Sequence, residues 1–435
     1  MSVRKADLHR SLADPVLDTM TFLNEITMRY PEAISFAPGR PYEDFFDTED
    51  IFTYLRRYLA HLEQDGCSPE QIRTTMCQYG NTAGQIRDIV AAALRTDEGI
   101  DVPARSIVIT VGAQEGMLLV LRALFAGPRD VLLVSSPCYM GITGAASLLD
   151  IPVVEVEEPE SGFSAAVVAE AIRREQAAGR RPTAFYLVPD HSNPSGRTVG
   201  ERERAELLAV AERHGVLILE DSPYRMVSPG DRVPALKAMD RAGVVVHLGS
   251  YSKTVFPGAR VGYVIADQPV DGGAGGLLAD QLVKLKSMTT VNTSPLSQAV
   301  VAGALLAADG RLSERNAKAA DHYAAAMDAT LRELDLRLPA ERRAALGVSW
   351  NSPAGGFFLT MRVPFAADEA ALARSADEFG VVWTPLRYFY LDGGGADTLR
   401  LSISYLSEEE VVEGVRRLAD FVVAEAGRAR READR

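Results

Sequence analysis

The chain has 435 residues, 47% of them apolar and 24% charged, with a formal net charge of −13. That length asks for two domains or more, and that charge argues against a general nucleic-acid binder, whose phosphate contacts need a basic face. Three cysteines (Cys67, Cys77, Cys138) with no C-x-x-C pair, and only six histidines, exclude a disulfide framework and a structural zinc site, so no metal is expected and the chain reads as a protein of the reducing cytoplasm.

In chain order, the first residues, MSVRKADLHRSLADP, hold charges but lack the apolar stretch of a secretory signal. Nowhere do eighteen apolar residues run together, so no membrane span is expected. Residues 1–50 read as irregular, with ISFAPGRPYEDFF (34–46) joining an apolar start to a Pro/Gly turn. From about Gly84, strand and helix patterns alternate. IVITVG (107–112) is a short buried strand, AQEGMLLVLRALFAG (113–127) is helical, and DVLLVSSP (130–137), IPVVEVE (151–157) and AFYLVPD (184–190) are strands. The helix ERERAELLAVAERHG (201–215) leads into VLILED (216–221), and VVVHLGSYS (244–252) closes the series. Apolar, β-branched strands alternating with helices predict an α/β fold with a mostly parallel central sheet covered on both faces.

GGAGG (272–276) lacks the Lys-Ser/Thr that a phosphate loop needs and reads as a surface turn. From about 310 the pattern changes to a long helix, NAKAADHYAAAMDATLRELDL, then strand-like GGFFLTMRVP (355–364) and LRLSISYL (399–406), then a helix from Ser407. That is an α+β arrangement and a second, smaller domain.

The stretch GSYSKTVFPGARVG (249–262) carries the most chemistry. Lys253 follows an apolar strand between short hydroxyl residues, and Arg260 returns after a Pro-Gly turn. Strand ends in an open parallel sheet face the ligand crevice. A lysine there, desolvated and close to a guanidinium, has a lowered pKa and a lone pair free for carbonyl attack. Ser250, Ser252 and Arg260 together suit a phosphate dianion. The stretch therefore asks for a ligand with both an aldehyde and a phosphate, and pyridoxal 5'-phosphate is such a ligand. Its ring nitrogen needs an anion, and Asp221 stands at a strand end, with Tyr224 three residues on. Asn193, in the turn DHSNPSGR (190–197), can donate to the phenolic oxygen. VGAQEG (111–116) is a helix start with free N–H groups that suit phosphate, and Tyr139, after another strand, can stack on a flat ring. Each of these also has a plain structural reading as a turn, a cap or a core aromatic. Their order along one α/β chain gives them weight together.

In these motifs the sequence resembles the fold-type I pyridoxal-phosphate enzymes of the class I/II aminotransferase family, from about Ile34 to Val423. S-Y-S-K-T-V-F-P-G-A-R-V-G matches the family's lysine motif, which implies that Lys253 is the Schiff-base lysine and the proton carrier, with Ser250, Ser252 and Arg260 as phosphate ligands. N-P-S-G places Asn193, and D-S-P-Y places Asp221 and Tyr224, around the ring; Ala113 and Gln114 fall on the phosphate-loop pair and Tyr139 on the stacking aromatic. Q-Y-G-N-T-A-G (78–84) implies that Tyr79 reaches a neighbouring subunit's phosphate, hence a homodimer with shared sites. L-R-L-S-I-S implies that Arg400 pairs with the substrate α-carboxylate, with Gly39 and Asn193 beside it. The resemblance also implies a large cofactor domain (51–310), a C-terminal small domain (311–435) and an N-terminal segment (1–50) joining the small domain.

Ala113 replaces a frequent serine, His191-Ser192 precede the Asn-Pro pair, and Pro385-Leu386 stands where Pro-Gly is common, near the expected substrate pocket. Phe357, Phe358, Trp383, Tyr388, Phe389 and Tyr390 supply aromatic surface near that pocket. The leading pattern F-L-N-E-x-x-x-R-Y-P-x-A-I-S-F-A-P-G-R-P resembles actinobacterial aminotransferases of peptide-antibiotic pathways, including arylglycine-forming ones. The reaction implied is amino transfer between an amino acid and a 2-oxo acid, in secondary metabolism. Two other readings share the residues. One is another fate of the Cα carbanion: β- or γ-elimination or replacement, S-adenosylmethionine included, or oxidation or carbon–carbon bond formation. The other is a cofactor-binding regulator without turnover, which needs an N-terminal DNA-binding helix-turn-helix for which the short leader leaves no room, and which the acidic net charge disfavours.

Overall fold

The computed structural model describes residues 2–159, 162–230, 232–272 and 275–433. In the Gly-rich run 272–276, Gly273 and Ala274 lie outside the described residues. Strand β1 (Ile34–Ser35) stands apart from the central sheet, which is built from β2 (Ile107–Thr110), β3 (Asp130–Ser136), β4 (Val153–Glu157), β5 (Arg181–Leu187), β6 (Leu217–Ser222), β7 (Val245–Ser250) and β8 (Gly262–Ile265). Their order is β2-β8-β7-β6-β5-β3-β4. The pairs β3–β4, β3–β5, β5–β6 and β6–β7 are parallel, and β8 runs antiparallel to both its neighbours. All residues of β2, β3 and β8 are buried, as strands covered on both faces must be.

β8 is an addition to the expected series. The connection Tyr251–Val261 is too short for a crossover helix, so the chain can only return antiparallel. Tyr251 N–H donates to the Val261 carbonyl (3.1 Å) and closes this connection on itself. Lys253 and Arg260 are therefore held on one tight loop at the end of β7.

Residues 1–50 are less irregular than expected. Pro15–Arg29 is an α-helix, with Asp14 accepting from the Val16 N–H (3.0 Å) and Pro15 in its first turn. Asp-Pro is an ordinary helix start, which the charges of the leader mask in the sequence. A further helix, Thr48–Gln64, starts on Asp47 in the same way.

The C-terminal part holds an antiparallel sheet built from β9 (Ser349–Trp350), β10 (Phe358–Arg362), β12 (Thr384–Pro385) and β13 (Thr398–Ser402), in the order β12-β13-β10-β9. β11 (Val381–Val382) pairs in parallel with β1. The core beneath joins Ile26, Phe36 and Ala37 to Trp383, Leu401 and Phe421, so N-terminal residues pack into the C-terminal unit. Helices Ala317–Arg337 and Glu408–Ala433 pack against each other over it. Among the described residues no helix is long and apolar enough to cross a membrane.

Candidate active site

The C-terminal ends of β3, β5, β6 and β7 open on one side of the sheet, where α/β proteins place their ligands. There the structure has a cavity of ≈ 280 Å³. Gly39, Ala113, Gln114, Tyr139, Asn193, Asp221, Tyr224, Ser250, Ser252, Lys253, Arg260 and Arg400 all line it. They come from chain positions hundreds of residues apart.

Lys253 is half-buried, and its Nζ donates to the Gly39 carbonyl (2.8 Å). Burial, then the charges of Arg260 and Arg40, push its pKa down to about 8. At neutral pH about a tenth of such amines are unprotonated, against less than a thousandth at the ordinary lysine value. The neutral amine is the nucleophile. The rate at which the cofactor-free protein takes up an aldehyde ligand is therefore expected to rise with pH through a midpoint near 8, and stopped-flow absorbance measures it.

The phosphate corner forms where the Lys253 loop meets the helix Gly112–Leu124. Arg260 Nη1 donates to Ser252 Oγ (3.2 Å), and Ser252 N–H donates to Ser250 Oγ (3.2 Å). Arg260 itself sits at φ 48°, in the left-handed region that a non-glycine residue rarely occupies. A Cβ on Gly112 (φ +69°) would lie 2.5 Å from Arg260 Nη2, so only glycine lets the guanidinium rest against the helix start. The unpaired N–H groups of that helix start, one guanidinium and two hydroxyls form an anion cradle.

Asp221 is the last residue but one of β6 and is buried (2% exposed). Burial pushes its pKa up to about 6, against the hydrogen bond that Tyr186 donates. Its Oδ1 is buried with no hydrogen-bond partner among the described residues. Such an orphan acceptor at a cavity wall calls for a donor from the ligand, and the protonated nitrogen of a pyridine ring is one. Tyr139 lines the same cavity, with its hydroxyl donating to Gln114 Oε1 (3.5 Å) and burial pushing its pKa up to about 12. Tyr224 is likewise neutral, pushed up by burial and hydrogen-bonded to Asn193.

Arg400 is 3% exposed. Its Nη1 donates to Asn193 Oδ1 (2.9 Å), and its Nη2 to Thr384 Oγ1 (3.1 Å) and to the Ala37 carbonyl. The guanidinium lies between the rings of Phe358 (4.7 Å) and Phe389 (4.9 Å), which fix its plane. Burial lowers its pKa to about 10, so it stays charged at neutral pH. Its Nε is buried without a partner among the described residues. A fixed, charged, incompletely paired guanidinium suits a carboxylate.

Tyr79 is 86% exposed and does not line this cavity. Of the aromatic residues expected near the pocket, only Phe389 lines it. Trp383 is buried in the C-terminal core, donating to Ser375 Oγ (3.0 Å), and Phe357 is fully buried. Tyr388 and Tyr390 line an adjoining groove instead. Leu386 sits behind the wall, packed with Met140 and Phe389, which do face the cavity. Sequence reasoning missed Arg40, Met117, Met140, Val188 and Pro223 as lining residues, and Tyr186 behind Asp221. Arg40 was quoted only as part of A-P-G-R-P, and the apolar ones carry no chemical signal.

These residues fit pyridoxal phosphate: an anion cradle, an amine, an orphan acceptor and a guanidinium surround one cavity. When bound, that group supplies an aldehyde that takes up the amino group and a ring that accepts the electron pair of a broken Cα bond. The chain's own part is separate. Arg400 can orient the substrate carboxylate, the Lys253 amine can take and return a proton at the substrate Cα, and Asp221 can hold a proton on the ring nitrogen.

The family model described as aminotransferase class I and II matches residues 61–418. The chain is 48% identical over 418 residues, 96% of its length and 94% of the relative's, to the (S)-3,5-dihydroxyphenylglycine transaminase of Amycolatopsis orientalis. Among solved structures it is similar to the multiple substrate aminotransferase of Thermococcus profundus (TM-score 0.79, 26% identity, 98% of each chain). It is also similar to LysN, the α-aminoadipate aminotransferase of Thermus thermophilus, solved with N-(5'-phosphopyridoxyl)-L-leucine (TM-score 0.78, 27% identity, 96% of this chain and 98% of that one). With this site on this sheet, the chain belongs to the class I and II aminotransferase family.

Proposed function

We propose that this aminotransferase works with pyridoxal phosphate and moves an amino group between an arylglycine, an amino acid with its ring directly on Cα, and the matching 2-oxo acid, in secondary metabolism. The observation that carries the reading is the 48% identity, over nearly the whole of both chains, to a transaminase of a dihydroxyphenylglycine. The cavity supports it, since Met140 and Val188 line it with apolar surface and so does Phe389, whose ring lies against Arg400. An aromatic ring on Cα fits such a surface while its carboxylate meets the guanidinium.

In this reading Lys253 holds the cofactor and moves the proton. Ser250, Ser252, Arg260, Ala113 and Gln114 hold the phosphate, and Tyr139 stacks on the ring. Asn193 and Tyr224 meet the phenolic oxygen and Asp221 the ring nitrogen. Arg400, with Gly39 and Asn193, takes the α-carboxylate. The working unit is a homodimer in which Tyr79 serves the neighbouring site. Exposure of Tyr79 (86%), Met288 (84%), Leu296 (57%) and Val291 (45%) supports an apolar face for a second copy. Three free cysteines support a reducing cytoplasm. The packing of Ile26, Phe36 and Ala37 into the C-terminal core supports a division into 1–50, 51–310 and 311–435, with the first part joining the last.

The test is a single-turnover absorbance measurement on the cofactor-loaded protein with 3,5-dihydroxyphenylglycine, 4-hydroxyphenylglycine, phenylglycine, phenylalanine, tyrosine and S-adenosylmethionine. Conversion of the bound cofactor to its amine form, with release of an aryl-oxo acid fastest from an arylglycine, is expected. Faster turnover of phenylalanine or tyrosine overturns the substrate class. Release of an elimination or decarboxylation product in place of the oxo acid overturns the reaction.

A further inference from the structure

We infer that Tyr186 is a positioning residue for Asp221: its hydroxyl holds one carboxylate oxygen so that the other stays an ionised acceptor at the cavity wall. The inference rests on the reading that Asp221 meets the cofactor ring. It adds a residue outside the cavity lining, on a different strand, to that work.

The geometry is specific. β5 and β6 are parallel neighbours, with Tyr186 opposite Leu219, so Asp221 lies two positions further along β6. A period of two puts Tyr186 and Asp221 on the same face of the sheet. The Tyr186 hydroxyl donates to Asp221 Oδ2 (2.7 Å), and the phenol is 1% exposed. Asp221 Oδ1 has no partner among the described residues. One oxygen is thus pinned and the other is left for the ligand. A carboxylate with neither oxygen held could rotate or turn its free oxygen into the wall.

The same bond acts on charge. Burial disfavours the anion of Asp221, and the phenol donor favours it. Tyr186 is pushed well above the ordinary phenol range by burial, so it stays a neutral donor at every working pH. The other titratable groups coupled to Asp221 come from four places. Glu220 precedes it on β6 and opposes its ionisation; His247 on β7 favours it. Those two pair with each other (His247 Nδ1 to Glu220 Oε2, 2.8 Å), so their effects on Asp221 oppose one another. Cys138 and Tyr139 after β3, and Tyr224 after β6, are buried neutral groups raised in part by Asp221. Tyr186 is the direct hydrogen-bond donor in this set.

The experiment is a titration of cofactor-stripped protein with pyridoxal phosphate, read as a dissociation constant by absorbance, at about pH 6 and about pH 8.5. Wild type, Tyr186→Phe, Asp221→Asn and the double variant are compared. The ratio of each variant to wild type at one pH cancels the contribution of Lys253, which all of them share. Loss of a hydrogen bond to a charged group predicts roughly a tenfold or greater weakening by Tyr186→Phe at the lower pH. Recovery toward wild type is expected at the higher pH, where Asp221 ionises even without its donor. In the Asp221→Asn background, Tyr186→Phe is expected to add little.

A weakening by Tyr186→Phe that is equal at both pH values overturns the inference, because lost packing alone behaves that way. So does an unchanged constant at the lower pH. Additive losses in the double variant also overturn it. If Asp221→Asn itself leaves the constant unchanged at both pH values, the reading of Asp221 fails and the inference falls with it; if only the tyrosine variant is silent, the inference alone fails. Thermal unfolding of the stripped Tyr186→Phe protein, expected within a few degrees of wild type, keeps a folding defect from imitating the effect.

Discussion

Lys253→Ala is expected to lower kcat/KM at least about 10⁴-fold, the upper end of what one positioned acid–base group contributes. In the proposed role two functions leave with one amine: the nucleophile for the cofactor aldehyde and the carrier of the Cα proton. Among the described residues no other cation lining the cavity can replace it. The other cations lining the cavity, Arg40, Arg260 and Arg400, are guanidiniums, which do not deprotonate in the working range. The variant is also expected to lack the pH-dependent ligand uptake near pH 8 that burial and Arg260 give to the lysine. Steady-state kinetics with a matched amino acid, together with the absorbance of the bound cofactor, check both points. Retention of more than about a hundredth of the activity is incompatible with an acid–base role of ordinary size.

Arg400→Leu is the second large effect. Removing one partner of a buried, hydrogen-bonded charge pair costs about 2–5 kcal/mol, or roughly 30- to 5,000-fold in kcat/KM. The carboxylate it is proposed to meet is present in both substrate and transition state, so much of the loss is expected in KM. Amino acid and 2-oxo acid are expected to suffer alike, since both present the same carboxylate. Arg400→Lys is not expected to rescue. An ammonium has neither the flat face that Phe358 and Phe389 sandwich nor the fork that reaches Asn193, Thr384 and a substrate at once. The measurement is kcat and KM for both half-reactions, with thermal unfolding as the control for a buried arginine. Unchanged KM for both substrates would remove Arg400 from the carboxylate role.

Much of this site was written locally. A strand end followed by Ser-Lys and a Pro-Gly turn points to the place of Lys253 at the cavity, because strand ends in a parallel sheet open on the ligand side. The apolar, β-branched runs were equally plain, and β2 to β7 fall close to where the pattern put them. What was not legible depends on neighbours in space. β8 follows from a connection too short for a helix, which a reader sees only after deciding that both flanks are strands. Tyr186 lies within a strand that reads as uniformly buried, and its contact with Asp221 follows from β5 lying beside β6, an order that periodicity does not encode. The sequence puts Leu386 near the expected substrate pocket. The structure places it one layer back, against Met140 and Phe389, where only packing can transmit its size.

The contact between Arg400 and the Ala37 carbonyl spans 363 positions of the chain. Read in time, that span is an interval of protein synthesis. At roughly 5–20 residues per second, about 20–70 s separate the making of the two ends. All seven strands of the central sheet, with Lys253, Asp221 and Arg260, have been made before Arg400 exists. The residues of this chain proposed to hold the cofactor are therefore all synthesised well before the arginine proposed to grip a substrate.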